Sequence, residues 1–468
     1  MNRRTFLKDT LLAMGAACVD LPALAAKVKV TGEPNLRIGI LSDIHINNQA
    51  SIEAFHHALT YFRERGVDGV IIAGDMADQG WISQLQSVAD TWRNVFPKDK
   101  GADGRHVERL FVYGNHDMEG YRYGKYSDEQ IAADGNNMER RAAVWKKVFG
   151  EKFQPIYLKT IKGYSFVGAH WYDWQHIPGV DEFLQANRER LEGTRPFFYF
   201  QHAHPKDTCL GDLAWAPDNG TATEALCKFP NAVAFSGHSH TTLLDERDIW
   251  QGAFTSVGTA SLSYLYLIPG RENSDTDGPS QMDNMPTSGG KQGMVMSVYD
   301  DCIILERREF VHDQSVGDDW LIPLPFSAAT PLSFENRARE AATPQFANGD
   351  CVAAQRRMGK DRQGSEQPQI VITFPSVLQS THGSRAYDYE VQAEHRYYDV
   401  DRICATKRVF SPGCFLNEAH DRDEVSCVFG TSELPTYGKL RFIVRPCECF
   451  GKKGRAICTD WMDAKEKE

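Results

Sequence analysis

Long apolar runs are absent from this 468-residue sequence beyond its N-terminus: no later segment approaches the roughly 18 apolar residues that mark a membrane-spanning helix. The mature chain is therefore expected to be soluble, with no transmembrane segment. A positive excess is absent too. Lys and Arg number 52 against 63 Asp and Glu, a formal net charge of −11, so no broad positive field exists to recruit nucleic acid or anionic lipid, and no nucleic-acid partner is expected. None of the 11 cysteines stands in a Cys-x-x-Cys pair, which leaves zinc-ribbon and dithiol redox readings without support. What is present is a globular composition, 41% hydrophobic and 25% charged, unlike that of disordered, collagen-like or coiled-coil chains. The length is about three times that of an average domain, which implies two domains, or one large domain with appendages.

The N-terminus reads as an export signal. Arg3-Arg4 precede Phe6-Leu7, and the weakly apolar run from Leu11 to Val19 is too short for a bilayer core of roughly 30 Å. Ala23-Leu24-Ala25 supplies small residues suited to cleavage before Ala26. Segment 1–26 resembles a twin-arginine signal peptide, which carries folded proteins across the inner membrane, and the resemblance implies a periplasmic or secreted protein. A lipoprotein signal at Cys18 fits less well, because Gly15 stands where a branched apolar residue belongs. Once that segment is removed ten cysteines remain, six of them beyond residue 400, and an oxidising compartment favours disulfide staples or buried thiols over metal binding.

From Arg37 onward, short apolar runs repeatedly stop at a polar motif. Ile38–Leu41 precedes Ser42-Asp43-Ile44-His45, Val70–Ala73 precedes Gly74-Asp75, and Leu110–Tyr113 precedes Gly114-Asn115-His116-Asp117. Phe197–Phe200 precedes Gln201-His202-Ala203-His204, and Ala232–Phe235 precedes Ser236-Gly237-His238-Ser239-His240. Such runs suit strands buried on both faces, and Ile52, Phe55, Leu59 and Phe62 mark one face of a helix that stops at Gly66. This is βαβ grammar, in which ligands gather beyond the carboxyl ends of the strands. Asn273–Gly293 lacks periodicity and reads as a long loop beside the site, followed by a hairpin of Met294–Val298 and Cys302–Leu305. Pro323 and Pro325 mark a linker over 313–330, and from about Pro331 alternating strands without helices suggest a small β-sandwich over 331–468.

Asp43, His45, Asp75, Asn115, His202, His238 and His240 each follow an expected strand, and their carboxylate, amide and imidazole donors suit Mn, Fe or Zn rather than calcium. In Asp43-x-His45 and His238-x-His240 an extended backbone would point both side chains one way. An Asp between two ions bridges them when they lie about 3.5–4 Å apart, the separation that clamps the oxygens of phosphoryl transfer.

Asp43-x-His45, Gly74-Asp75-x-x-Asp78, Gly114-Asn115-His116-Asp117 and Gly237-His238-x-His240, in this order, resemble the calcineurin-like metallophosphoesterases over roughly Leu36–Phe310. The resemblance implies a four-layer αββα sandwich over 33–312 and two metal ions. It puts Asp43, His45, Asp75 and His240 on one ion and Asp75, Asn115, His202 and His238 on the other. It makes His116 the catalytic residue that assists the reacting phosphate and leaving group, as a metal-bridging hydroxide attacks phosphorus in line. The implied substrate is a small phosphorylated molecule. Phosphomonoester hydrolysis is favoured, phosphodiester or pyrophosphate hydrolysis by the same site is the alternative, and a surface binding protein with a vestigial metal site is the reading from another class.

In Gln201-His202-Ala203-His204-Pro205 either histidine can be the isolated ligand; His202, closer to its strand, is favoured, and His204 can touch phosphate instead. Gln79 replaces the arginine of protein Ser/Thr phosphatases, which argues against a phosphoprotein substrate. Asp78 and Asp117 either orient a ligand or cap a helix. Trp171, within His170-Trp171-Tyr172-Asp173-Trp174, is either an aromatic wall for substrate or core. The tail Leu440–Pro446 with Phe450-Gly451 is similar to the last strands of fibronectin type III modules.

Overall fold

Every residue of Leu36–Leu41 except Arg37 is buried, as suits a strand covered on both faces, and the segment forms β1 at the middle of a seven-stranded sheet. β2 (Gly69–Ala73) and β3 (Glu108–Val112) run parallel to it on one side. β12 (Gln292–Val298) lies antiparallel on the other and pairs with β13 (Cys302–Glu309), the expected hairpin. A second sheet of six strands has the order β4-β5-β6-β7-β9-β8. These are β4 (Ile156–Ile161), β5 (Tyr164–Ala169), β6 (Phe197–Phe200), β7 (Ala232–Ser236), β8 (Ile249–Gln251) and β9 (Thr255–Gly258). β10 (Leu265–Tyr266) and β11 (Thr287–Ser288) make a separate two-stranded ribbon.

The computed structural model describes residues 32–173, 176–211, 214–266, 287–327, 330–361, 363–377, 385–411 and 424–465. The expected signal peptide with Cys18, most of the expected 273–293 loop, Trp174 and Cys414 lie outside the described residues.

Three apolar clusters stack the layers. Ile38, Ile40, Phe166, Phe198, Phe235 and Met296 fill the space between the two sheets. On the outer face of the first sheet, Phe55, Leu59 and Phe62 of α1 (Gln49–Glu64) and Leu85, Val88 and Trp92 of α2 (Ile82–Val95) pack with Trp145. Val180, Leu184, Ala222 and Leu226 of two short helices cover the second sheet. The order is therefore α, β, β, α. Each fully buried Leu or Phe contributes about 1.5–3 kcal/mol.

The stretch from residue 313, expected as linker, instead extends the first sheet. β14 (Gln314–Ser315) and β15 (Trp320–Pro323) both pair with β13, because Trp320 and Ile322 alternate inward and complete the inter-sheet core. The C-terminal part is mostly strands, with a three-stranded sheet, β16-β17-β20, packed on a second sheet, β19-β18-β21-β22, with β23 also on β21. These strands are β16 (Ala353–Lys360), β17 (Glu366–Pro375), β18 (Asp388–Tyr397), β19 (Val400–Phe410), β20 (Glu424–Gly430), β21 (Lys439–Cys447), β22 (Ile457–Cys458) and β23 (Met462–Asp463). Ile370, Ile372, Tyr389, Val391, Phe442 and Val444 form the core between them. A helix does occur there, Phe334–Glu340, started by the Ser333 side chain accepting from Asn336 N.

The expected disulfide staples are not found among the described residues. Cys209, Cys227, Cys302, Cys351, Cys404, Cys449 and Cys458 are free thiols, and the sandwich is held by its apolar core instead. Cys447 and Cys449 both lie at the end of β21 and are buried.

Candidate metal centre

All five polar motifs sit where a strand ends. Asp43 and His45 follow β1, Asp75 follows β2, Asn115 and His116 open the one-turn helix Asn115–Glu119 after β3, His202 follows β6, and His238 and His240 follow β7. The two-residue spacings do not work through extended backbone, as the sequence suggested. Asp43, His45, Asp75, His238 and His240 all have φ between +48° and +71°, a region that ordinary side chains seldom enter. Strain of this kind persists only where surroundings impose it. Here the loops are laced together: Asp43 N donates to the Gly74 carbonyl at 3.0 Å, His45 N to the Asp75 carbonyl at 3.0 Å, and Gly237 N to the His202 carbonyl at 2.9 Å. Gly114 and Gly237 permit close approach, since a Cβ at Gly114 would collide with Asp75 Oδ1 and one at Gly237 with Asp43 Oδ2.

Six of the seven expected ligands converge in two groups. Asp43, His45 and His240 form one, with His240 Nε2 3.0 Å from Asp43 Oδ1 and 3.3 Å from His45 Nε2. Asp75, His202 and His238 form the other, with His202 Nε2 3.0 Å from Asp75 Oδ2 and 3.1 Å from His238 Nδ1. Asp75 Oδ2 also lies 3.7 Å from His45 Nε2, so this one oxygen faces both groups. All of these residues are buried.

Hydrogen bonds fix the imidazole tautomers. His45 Nδ1 donates to Asp78 Oδ1 at 3.1 Å, His240 Nδ1 to the Tyr264 carbonyl at 3.0 Å, and His202 Nδ1 to the Ala73 carbonyl at 2.8 Å. In the neutral ring each Nε2 is thereby left as a lone pair, the arrangement of a metal-ligating imidazole. Lone pairs facing each other at 3.3 Å, as on His45 and His240, repel unless a cation lies between them. Asp43 Oδ1, Asn115 Oδ1 and His238 Nε2 are likewise buried with no hydrogen-bond partner. An isolated buried polar atom costs about 1–3 kcal/mol, so donors orphaned in this way fit bound ions.

Burial disfavours the charged form of Asp43, but His240 and His202 outweigh it and hold the carboxylate ionised below its usual range. Burial opposes ionisation of Asp75 too, and His202 and His116 drive its pKa well down. Burial would depress His202, yet the charges of Asp75 and Asp43 raise it to about 9. His45 is lowered mainly by burial, and His238 is pushed well down by burial and by His202.

His116 stands beside the groups, partly exposed. Its Nδ1 donates to the Asp78 carbonyl at 2.7 Å, and its ring lies 4.5 Å from that of His45. Asp78 orients His45 and itself accepts from Asn47 Nδ2 at 3.1 Å. Asp117 is no ligand. Its two oxygens accept from Ala77 N at 2.7 Å and Gly114 N at 2.8 Å, tying two motif loops together, and burial followed by the Asp75 charge raises its pKa to about 7. His204 does not face the opening either: it is fully buried, with Ser236 and Ser239 hydroxyls on its two nitrogens, and burial lowers it to about 4. Trp171 is buried rather than an open wall, its ring 5.9 Å from that of His202 and 5.7 Å from that of His238.

Three aromatic rings beside the ligands, two of them exposed, are ones that sequence reasoning missed. Tyr123, 66% exposed, lies 4.6 Å from the His116 ring and accepts from Asn115 Nδ2 at 3.0 Å, which turns the amide oxygen toward the ligands. Trp215, 39% exposed, lies 4.7 Å from His238, and Tyr264 lies 4.2 Å from His240. None of the three sits in a motif, so no local pattern marked them.

Residues 36–242 match the sequence family of calcineurin-like phosphoesterases. A comparison with curated proteins found no match. Among solved structures, the chain is similar to a dimetal phosphatase from Danio rerio, at 12% identity and a TM-score of 0.36, over 63% of this chain and 100% of that one. It is also similar to purple acid phosphatase PPD1 from yellow lupin (Lupinus luteus) seeds, at 13% identity and a TM-score of 0.44, over 62% of this chain and 55% of the lupin chain. Over residues 36–242, then, the chain matches the calcineurin-like phosphoesterases, and the buried carboxylate and imidazole groups of that segment are able to hold metal ions.

Proposed function

We propose that this chain is an exported phosphomonoesterase working with two metal ions, one held by Asp43, His45, Asp75 and His240 and the other by Asp75, Asn115, His202 and His238. The observation that carries the reading is Asp75 Oδ2, turned toward both histidine groups. When bound, the ions supply Lewis acidity toward phosphate oxygens and lower the pKa of water. The chain's own residues do the rest. Asp75 ties the two groups together, while Asp78, Ala73 and Tyr264 hold three imidazoles in the ligating tautomer. With Nδ1–H committed to the Asp78 carbonyl, His116 presents Nε2, which as imidazolium hydrogen-bonds the phosphate and gives its proton to the departing oxygen. The monoester preference rests on Tyr123, Trp215 and Tyr264, which narrow the approach to three donor rings. Export rests on the Arg3-Arg4 segment and its cleavage site. The C-terminal sandwich is read as fibronectin type III-like, supported by its pairing of a three-stranded sheet with a larger one.

Rates on an aryl phosphate and a bis-aryl phosphate, with and without chelator, test the reading. The monoester is expected to turn over faster, and chelation to abolish both activities. Asn115→Ala and His116→Ala are expected to lose most turnover while staying folded. A faster diester makes the chain a phosphodiesterase, and rates indifferent to chelator and to both variants refute the mechanism.

A further inference from the structure

Behind the ligand loops lies a second buried group of donors that the two-ion centre does not use. His204, Cys209 and Asp248 are each at most 0% exposed, and their donor atoms lie within 4.8 Å of one another. Cys209 Sγ is 3.4 Å from the Asp248 carbonyl oxygen and 3.5 Å from Ser256 Oγ. Asp248 is the anomaly: both carboxylate oxygens are buried without a hydrogen-bond partner. A carboxylate in that state is strongly unfavourable unless a proton or a cation joins it. A thiol and an imidazole beside it decide between these, since three such donors in one pocket are the materials of a closed transition-metal site.

We infer that His204, Cys209 and Asp248 bind a third, structural divalent ion of the zinc class, apart from the catalytic pair. On binding, Cys209 loses its thiol proton to solvent and the thiolate bonds the ion. One ring nitrogen of His204 exchanges its serine hydroxyl for the ion, and the other keeps its serine, Ser236 on Nδ1 or Ser239 on Nε2, each now at 2.7 Å. Such an outer hydrogen bond is what orients a ligating imidazole. Ser256 Oγ, next to the thiol, or a water completes four-coordination. The ion would pin the segment after β6 to the turn before β8. Where His204 keeps Ser239, the ion would also brace the strained loop that carries His238 and His240. The donors come from separate segments, so the absence of a Cys-x-x-Cys spacing says nothing against this site.

The test uses the full mature chain loaded with cobalt(II). Wild type is expected to hold three ions per chain and to show a near-ultraviolet thiolate-to-cobalt charge-transfer band. Cys209→Ser removes the band and one ion, whereas Asn115→Ala, which touches only the catalytic pair, keeps the band. Should the Cys209 variant fail to fold, Asp248→Asn, equal in shape, is expected to weaken the band-forming equivalent by about tenfold or more. Two ions per chain with no such band in wild type, or a band that survives Cys209→Ser, overturns the inference, and either result leaves the two-ion reading standing.

Discussion

Asn115 shows how much a single side chain decides here: its amide nitrogen is taken by Tyr123, and its oxygen is left facing the ligands with no partner. His170 shows the same logic with a proton. It is buried among Tyr113, Trp145 and Phe153, and Tyr113 N donates to its Nδ1 at 3.0 Å, so that nitrogen must stay unprotonated. Burial, with Arg141 and Lys159 adding repulsion, lowers its pKa from 6.5 to about 3. The unfolded chain therefore takes up a proton between those values that the folded chain refuses. Stability is present above pH 6.5 and drains as pH falls toward about 3, at up to about 1.4 kcal/mol per pH unit. Denaturant unfolding of apoprotein at pH 4 and pH 7 checks it: His170→Gln is expected to show a shallower loss than wild type, and parallel losses would refute it. At this scale the motif residues were legible because their types and order carry the chemistry. The roles of Asp117, His204 and Trp171 were not, because each depends on what lies across the loop: Ala77 and Gly114, two serines, or the ligand rings.

At the scale of elements, strand ends are what the apolar runs announced, and all five motifs stand there. The turns themselves were misjudged. An extended backbone with period-two alternation is the cheapest reading of Asp-x-His, but a strand end that must aim two donors at one centre uses left-handed residues instead. Strands β14 and β15 went unread because two residues and a proline-flanked run of four give too little pattern, and helix Phe334–Glu340 because it has no buried apolar stripe. The loops carry a prediction of their own. Gly237→Ala places a methyl group against Asp43 Oδ2 and Ser42 Oγ, neither of which has room to withdraw. Retained metal is expected to fall by about 10–100-fold in affinity, the usual consequence of disturbing the groups that orient ligands. Metal titration of the folded variant reads it, and wild-type affinity would show that the loop yields.

Across the whole molecule, the two parts meet in a polar seam within one compact unit, Pro34–Glu468. Arg247, buried, grips Asp245 at 2.8 and 2.6 Å and lies 4.8 Å over the ring of Tyr387 of the sandwich. Arg337 of the C-terminal part pairs with Glu246 of the first part. Arg247→Ala leaves the fully buried Asp245 carboxyl without its guanidinium partner, so a loss of about 3–5 kcal/mol is expected in denaturant unfolding. A loss under about 1 kcal/mol would mean that the seam is held elsewhere. The two-ion centre itself is tested most directly by anomalous diffraction from crystals of the metal-loaded chain. Two peaks about 3.5–4 Å apart, flanking Asp75 and within bonding reach of Asn115 Oδ1 and His202 Nε2, are the predicted result. One peak or none at Asp75 would contradict it.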